Sequence, residues 1–86
     1  MSDHPTDFTG NVHEAISSSI KAKIPDATVE SSGSGGHYSI AVVSPVFAGK
    51  SLLECQRLVL GAIKHLLAGD RAPVHAVDHL ITKTPA

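Results

Sequence analysis

One short stretch of nearly continuous apolar residues constrains the fold most. Residues 38–44 read YSIAVVS, and they lie between a glycine-rich segment and Pro45. A run of this length that is apolar at almost every position is typical of a strand buried in the middle of a sheet. Because proline cannot continue a central strand, the run ends at Pro45. We therefore predict that residues 38–44 form the central strand of a small sheet.

Two segments with helical spacing flank this strand. In the first, from Asn11 to Lys23, apolar residues recur every three or four positions, and Asn11 with Glu14 resembles a capping box. The second begins after Ser51, which has Glu54 three residues on, and Gly69 ends it. The predicted apolar face of the second helix consists of Leu52, Cys55, Val59, Ala62, Ile63 and Leu66.

Two weaker strand signals complete the pattern. Residues 27–30 predict a short edge strand, residues 31–36 (SSGSGG) a flexible loop, and residues 74–84 a last strand. Strands joined by a short loop should be antiparallel, whereas strands separated by a full helix should be parallel. The predicted class is α/β (α+β): one αββαβ domain over residues 10–86, with a three-stranded mixed sheet and both helices on one face. Residues 1–9 are predicted to be a flexible leader.

Composition excludes several classes of protein. The chain has 86 residues, a formal net charge of −1 and one cysteine, so it can form neither an internal disulfide nor a zinc finger. No apolar run approaches the ~20 residues that span a bilayer, and the polar N-terminus lacks a secretory pattern. We therefore expect a cytoplasmic protein without a membrane partner.

Three local motifs resemble functional sites but are interpreted as structural features. Residues 44–51 (SPVFAGKS) nearly match a phosphate-binding loop, but Ser44 replaces the required glycine and Pro45 removes an amide that a phosphate would need. We interpret this segment as a turn and a helix cap. The Gly-x-x-Gly pattern at residues 33–36 lies between strands and is interpreted as a hairpin loop. Cys55 is interpreted as a small buried side chain and not as a reactive thiolate.

The chain has six histidines, and two of them are predicted to lie close enough together to bind a metal ion. His37 opens the central strand and His75 opens the last one, so parallel strands would bring both to one end of the sheet. Two imidazoles at one edge are the beginning of a metal site that needs further ligands from a partner. Strict alternation places His79 on the same face as His75, unless a bulge between them breaks the alternation. The remaining three are interpreted as surface residues: His4, His13 and His65.

Several segments, in this order and at these spacings, closely resemble the BolA family. They read YSIAVVSP at residues 38–45, FAGKSL at 47–52, RLV at 57–59, VHAV at 74–77 and TKTP at 82–85. The resemblance extends from about residue 10 to residue 85. It implies a fold with the element order predicted above, similar to the type II KH domain.

The resemblance also implies a partner and a cofactor. BolA-like proteins pair with monothiol glutaredoxins and share a 2Fe–2S cluster with them and with glutathione. The family's ligand after the last helix corresponds to His75. The second ligand, a Cys or His in the loop between the first two strands, has no match within residues 31–36, and His37 is the nearest candidate. Between His75 and Pro85 the chain is one residue longer than the family pattern, which predicts a bulge near residues 78–79.

The predicted function is a non-enzymatic adaptor for iron–sulfur cluster assembly, transfer or iron regulation, a monomer or homodimer when alone. The alternative is a KH-like transcriptional regulator that contacts DNA through Lys50, Arg57 and Lys64. Where the family often has Arg-His-Arg on the second helix, this chain has Cys-Gln-Arg at residues 55–57. An enzyme has little support, because the sequence suggests neither a nucleophile–base pair nor paired carboxylates in a cleft.

Overall fold

The structure, a computed structural model, describes residues 10–69 and 71–85. The predicted leader at residues 1–9, with His4, lies outside the described residues. In chain order the elements are α1 (Val12–Lys23), β1 (Thr28–Ser34), β2 (His37–Val43), a 3-10 helix (Pro45–Phe47), α2 (Leu52–Ala62), α3 (Lys64–Leu67) and β3 (Ala76–Lys83). No helix within the described ranges is long and apolar enough to cross a membrane.

The sheet confirms the predicted topology. Its order is β1-β2-β3, with β2 in the centre, antiparallel to β1 and parallel to β3. Tyr38 pairs with Val77 and Ser39 pairs with His79, so Asp78 is an extra residue without a partner in the ladder. The predicted bulge is therefore present, and it lies at Asp78.

One face of the sheet packs against the helices. Tyr38, Ile40 and Val42 are the buried residues of β2, and every second side chain between them lies on the opposite face. They form one apolar cluster with buried residues of α1 and α2, among which are Ile16, Ile20, Cys55, Val59 and Ala62. Burying a large aliphatic or aromatic side chain contributes about 1.5–3 kcal/mol. The predicted arrangement of both helices on one face is thus confirmed.

Hydrogen bonds confirm both predicted helix starts. The side chain of Asn11 accepts a bond from the backbone N–H of Glu14 at 3.1 Å. At α2 the capping box is reciprocal, because the hydroxyl of Ser51 accepts from the N–H of Glu54 at 3.1 Å and the Glu54 carboxylate accepts from the N–H of Ser51 at 2.9 Å. These bonds satisfy N–H groups that have no partner within the helix.

The prediction of a flexible loop over residues 31–36 is wrong. β1 extends to Ser34, and the turn consists of Gly35 and Gly36, whose φ values are 64° and 89°. Two-residue hairpin turns with positive φ at both central positions favour Gly-Gly. The glycines therefore close a tight hairpin, and the serines pair with β2.

The second helix also differs from its prediction. It breaks at Ile63 (φ −109°, ψ 13°), two residues after Gly61, which has low helix propensity. Ile63 and Leu66 nevertheless stay in the core as predicted. Leu52 does not, since 65% of its surface is exposed. Helical side chains lean towards the N-terminus, so the first residue of α2 points past the start of the helix.

Candidate functional site

Parallel pairing brings His37 and His75 to one edge of the sheet, as predicted. His37 is the first residue of β2, and His75 immediately precedes β3. The backbone N–H groups of His75 and Ala76 both donate to the carbonyl oxygen of Gly36, at 2.7 and 2.9 Å. These two bonds fasten the start of β3 to the hairpin turn. The relative position of the two histidines is therefore set by the backbone.

The two imidazole rings are close neighbours at this edge. Their centroids are 5.6 Å apart and their planes are inclined by 55°. Both residues are exposed. With metal–nitrogen bonds of about 2 Å and tetrahedral angles, two imidazoles on one metal ion have ring centres on the order of 5 Å apart. The pair is thus spaced to supply two nitrogens to one metal ion.

A carboxylate contacts one of these rings. The Nδ1 atom of His37 lies 3.3 Å from Oδ1 of Asp78, and the two side chains are 56% and 48% exposed. A histidine that donates its Nδ1–H to a carboxylate keeps Nε2 as a lone-pair donor for a metal. Sequence reasoning predicted the bulge but missed the contact of Asp78 with His37. The available signal was the additional residue between His75 and Pro85.

The donor set at this edge is incomplete for a metal centre. Among residues 10–69 and 71–85 no group of three or more His, Cys, Asp or Glu side chains is placed to hold a metal ion. Two imidazoles can replace two thiolates on one iron of a 2Fe–2S cluster, as they do in Rieske centres. The two imidazoles would therefore fit the ligand positions of one iron of such a cluster.

The other described histidines lie apart from this pair. His79 pairs with Ser39, because the bulge at Asp78 breaks the alternation that would have aligned it with His75. His65 is exposed as predicted, and its Nε2 lies 3.2 Å from the hydroxyl oxygen of Ser19. No ligand role follows from either position.

His13 is half-buried and contacts two strands, whereas a surface position was predicted for it. Its Nδ1 lies 2.6 Å from the hydroxyl oxygen of Ser31, and its ring meets that of Tyr38 edge to face at a centroid distance of 5.3 Å. The residue is half-buried. His13 thus connects α1 to β1 and β2, which is a structural role.

Two of the three cations proposed for DNA share a cleft. Lys50 and Arg57 line a depression of about 350 Å³, together with Lys23 at the end of α1. Glu54 also lines it, but its carboxylate accepts the capping bond from the N–H of Ser51. Lys64, the third cation proposed, is exposed on α3 and does not line the cleft.

The turn and cap predicted for residues 44–51 and the buried position predicted for Cys55 are confirmed. The hydroxyl of Ser44 accepts a bond from the N–H of Val46 at 3.2 Å, as a turn and cap require. Cys55 is buried in the core, and its Sγ lies 3.9 Å from the carbonyl oxygen of Phe47. A separate groove of about 720 Å³ borders β1, and neither histidine of the pair lines it.

Comparison with known proteins points to one family. The sequence matches the family model for BolA-like proteins over residues 7–86. BolA1 from Mus musculus is 32% identical, with a TM-score of 0.70 over 99% of this chain and 74% of that chain. A bol-like protein from Babesia bovis is 26% identical, with a TM-score of 0.70 over 94% of this chain and 91% of that one.

A more distant likeness shows the same fold. The BolA domain of SufE1 from Arabidopsis thaliana is 22% identical, with a TM-score of 0.72 over 91% of this chain and 96% of that chain. A comparison with curated proteins gives no match. The family model covers nearly the whole chain, and the fold matches solved BolA structures. The chain belongs to the BolA-like protein family.

Proposed function

We propose that this chain is a non-enzymatic adaptor that binds a monothiol glutaredoxin and shares a 2Fe–2S cluster with it. The observation that carries the proposal is the pair of exposed imidazoles, His37 and His75, with centroids 5.6 Å apart at the start of two parallel strands. A glutaredoxin cysteine and a glutathione thiol would complete the ligand set on the other iron. The cluster would serve iron–sulfur assembly, transfer or iron regulation.

Exposure of the pair supports a macromolecular partner. Both rings project from an edge of the sheet, where the surface of a second protein can approach them. A small substrate would instead favour an enclosed, mostly apolar pocket. Imidazole ligation also raises the reduction potential of a cluster relative to thiolate ligation. A half-site with an open side suits a cluster that is held between two proteins and then passed on.

The proposal is tested by reconstituting the cluster between this chain, a monothiol glutaredoxin and glutathione. Visible absorption and circular dichroism report the cluster, and gel filtration reports the heterodimer. We expect His75→Ala to abolish or strongly change the cluster spectrum, and His37→Ala to change it as well. His65→Ala is the matched control, because His65 is also exposed but lies on α3. A spectrum that stays the same in His75→Ala would contradict the proposal.

The cationic cleft favours a second candidate function, the binding of a nucleic-acid backbone. Lys23, Lys50 and Arg57 line one cleft although the chain as a whole carries a net charge of −1. Three phosphate contacts predict that the logarithm of the DNA affinity falls with the logarithm of salt concentration with a slope of about −3. Arg57→Ala should reduce that slope by about 1, whereas Lys64→Ala should not. Absence of binding at low salt would remove this candidate.

A further inference from the structure

The bulge in β3 places a carboxylate against one ring of the histidine pair. In an unbroken ladder the residue after Val77 would pair with Ser39, but His79 takes that place and Asp78 remains unpaired. A bulge of this kind turns a side chain away from the direction that the pleat dictates. Here the carboxylate of Asp78 reaches Nδ1 of His37, at 3.3 Å. The contact joins residues 41 positions apart in the sequence.

We propose that Asp78 is a positioning residue that selects the metal-binding form of His37. A carboxylate can only accept, so the proton of a neutral His37 ring is held on Nδ1. The lone pair is then on Nε2, the atom available for iron. Carboxylate partners of this kind also orient the ring and raise its basicity as a ligand. This inference rests on the proposed function for its purpose, but the choice of tautomer is a property of the chain alone.

The geometry explains how this chain can form a half-site without a ligand in its hairpin turn. The turn consists of Gly35 and Gly36, which carry no side chain that could bind iron. The ring of His37 lies 5.6 Å from that of His75, and its 56% exposure leaves it few packing contacts to fix its orientation. Asp78 supplies that constraint. The additional residue in β3 therefore has a specific role at the histidine edge.

The tautomer of His37 is the direct test. Long-range proton–nitrogen correlation spectra of the free chain, labelled with ¹⁵N-histidine and held at alkaline pH, distinguish the Nδ1–H and Nε2–H forms. We expect Nδ1–H for His37 in the wild type and a shift towards Nε2–H in Asp78→Ala. Asp26→Ala is the matched control, since Asp26 is another exposed aspartate. An Nε2–H form in the wild type, or an unchanged tautomer in Asp78→Ala, would overturn the proposal.

A metal titration provides the second test. Calorimetry with Ni²⁺ alone measures binding to the histidine pair without glutaredoxin, and His75→Ala identifies the part of the signal that belongs to the pair. Loss of an outer carboxylate partner costs typically about 10–100-fold in metal affinity. We expect a loss of that size in Asp78→Ala and a smaller one in Asp78→Asn, whose amide oxygen can still accept the bond. Equal affinities for all three proteins would overturn the proposal.

Two further outcomes have distinct meanings. If Asp78→Ala weakens Ni²⁺ binding while His37 keeps its Nδ1–H form, Asp78 binds the metal itself and the positioning role is wrong. If the tautomer and Ni²⁺ results hold but no cluster forms with a glutaredoxin, the proposed function fails and the role of Asp78 stands. The variants are compared on folded protein, verified by the amide signals of Val77 and His79 on either side of the bulge.

Discussion

The two ends of the sheet are built differently. At the end where β2 finishes, Phe47 is buried and the hydroxyls of Ser44 and Ser51 are used in local caps. At the opposite end, where β2 and β3 begin, the rings of His37 and His75 are exposed. The first end contains the most conspicuous motif in the sequence, Gly-Lys-Ser, yet its serine hydroxyl caps a helix. The plainer histidines at the other end are exposed, so the surface of a second protein can reach them.

This difference predicts opposite responses to substitution. Changes at the capped end should lower the free energy of unfolding and leave metal binding intact in whatever protein remains folded. Changes of the exposed side chains at the histidine edge should weaken metal binding and leave the free energy of unfolding nearly unchanged. The predictions that follow run from the largest expected effect to the smallest.

Phe47→Ala should lower the free energy of unfolding more than any other substitution considered. Phe47 is 4% exposed and belongs to the core, and removing a buried phenylalanine side chain costs about 3–5 kcal/mol. Urea unfolding followed by far-ultraviolet circular dichroism measures this loss. His75→Ala, at the other end, should change the free energy of unfolding by about 0.5 kcal/mol or less. Comparable losses for the two variants would mean that the histidine edge is also structural.

Gly33→Ala should disturb the histidine edge through the backbone. Gly33 has a φ of 109°, and a Cβ there would meet the carbonyl oxygen of His37. Forcing alanine into such a conformation costs about 1–3 kcal/mol, and relief of the clash would displace His37. We expect both reduced stability and weaker Ni²⁺ binding.

Gly35→Asn is the matched control for this glycine. Gly35 has a φ of 64°, a conformation that asparagine tolerates, and a Cβ there would meet no atom within 4 Å. Urea unfolding and Ni²⁺ titration should both stay close to the wild type. If Gly35→Asn were as harmful as Gly33→Ala, the contact with His37 would not be the cause.

Ser51→Ala should destabilise the capped end moderately. The hydroxyl of Ser51 accepts the N–H of Glu54, and loss of an N-terminal cap typically costs about 1 kcal/mol. Thermal unfolding measures the change. Cluster formation with a glutaredoxin should be unaffected below the unfolding transition, since the cap lies at the end opposite the histidines. A loss of the cluster in this variant would contradict the separation of the two ends.

The smallest expected effect is a dependence of stability on pH. The backbone N–H of Ser51, and then its side chain, hold the pKa of Glu54 below its ordinary value of 4.5. The stabilisation is therefore fully present above pH 4.5 and is lost as the pH falls through the lower pKa of the folded state. Glu54→Gln should remove this part of the pH dependence. If the free energy of unfolding fell equally at acid pH in Glu54→Gln and in the wild type, the capping role of the carboxylate would be contradicted.

Much of the fold could be predicted because its signals are local. Asn11 and Ser51 mark helix starts, Pro45 ends the central strand, and the apolar run places that strand in the middle. Strand directions followed from the lengths of the connections. The hairpin was misread because composition alone treats Ser and Gly as a loop, whereas residues 28–34 gain their strand structure from pairing with β2.

The candidate site could be predicted only in part. The positions of His37 and His75 at the starts of parallel strands were enough to place them at one edge. The contact of Asp78 with His37 was not predictable, because it depends on the register between two strands and on the direction that a bulge gives to one side chain. Register is a tertiary property, and the spacing of residues in the sequence reveals a bulge but not where its side chain points.

The most direct measurement of iron binding by His37 and His75 is pulsed electron paramagnetic resonance on the reduced cluster. The sample is the complex of a monothiol glutaredoxin and glutathione with this chain, in which only this chain carries ¹⁵N-histidine. We expect two histidine nitrogen couplings in the wild type, one of which disappears in His37→Ala. The couplings should remain unchanged in His65→Ala. A reduced cluster without any ¹⁵N coupling from this chain would contradict the assignment of its ligands.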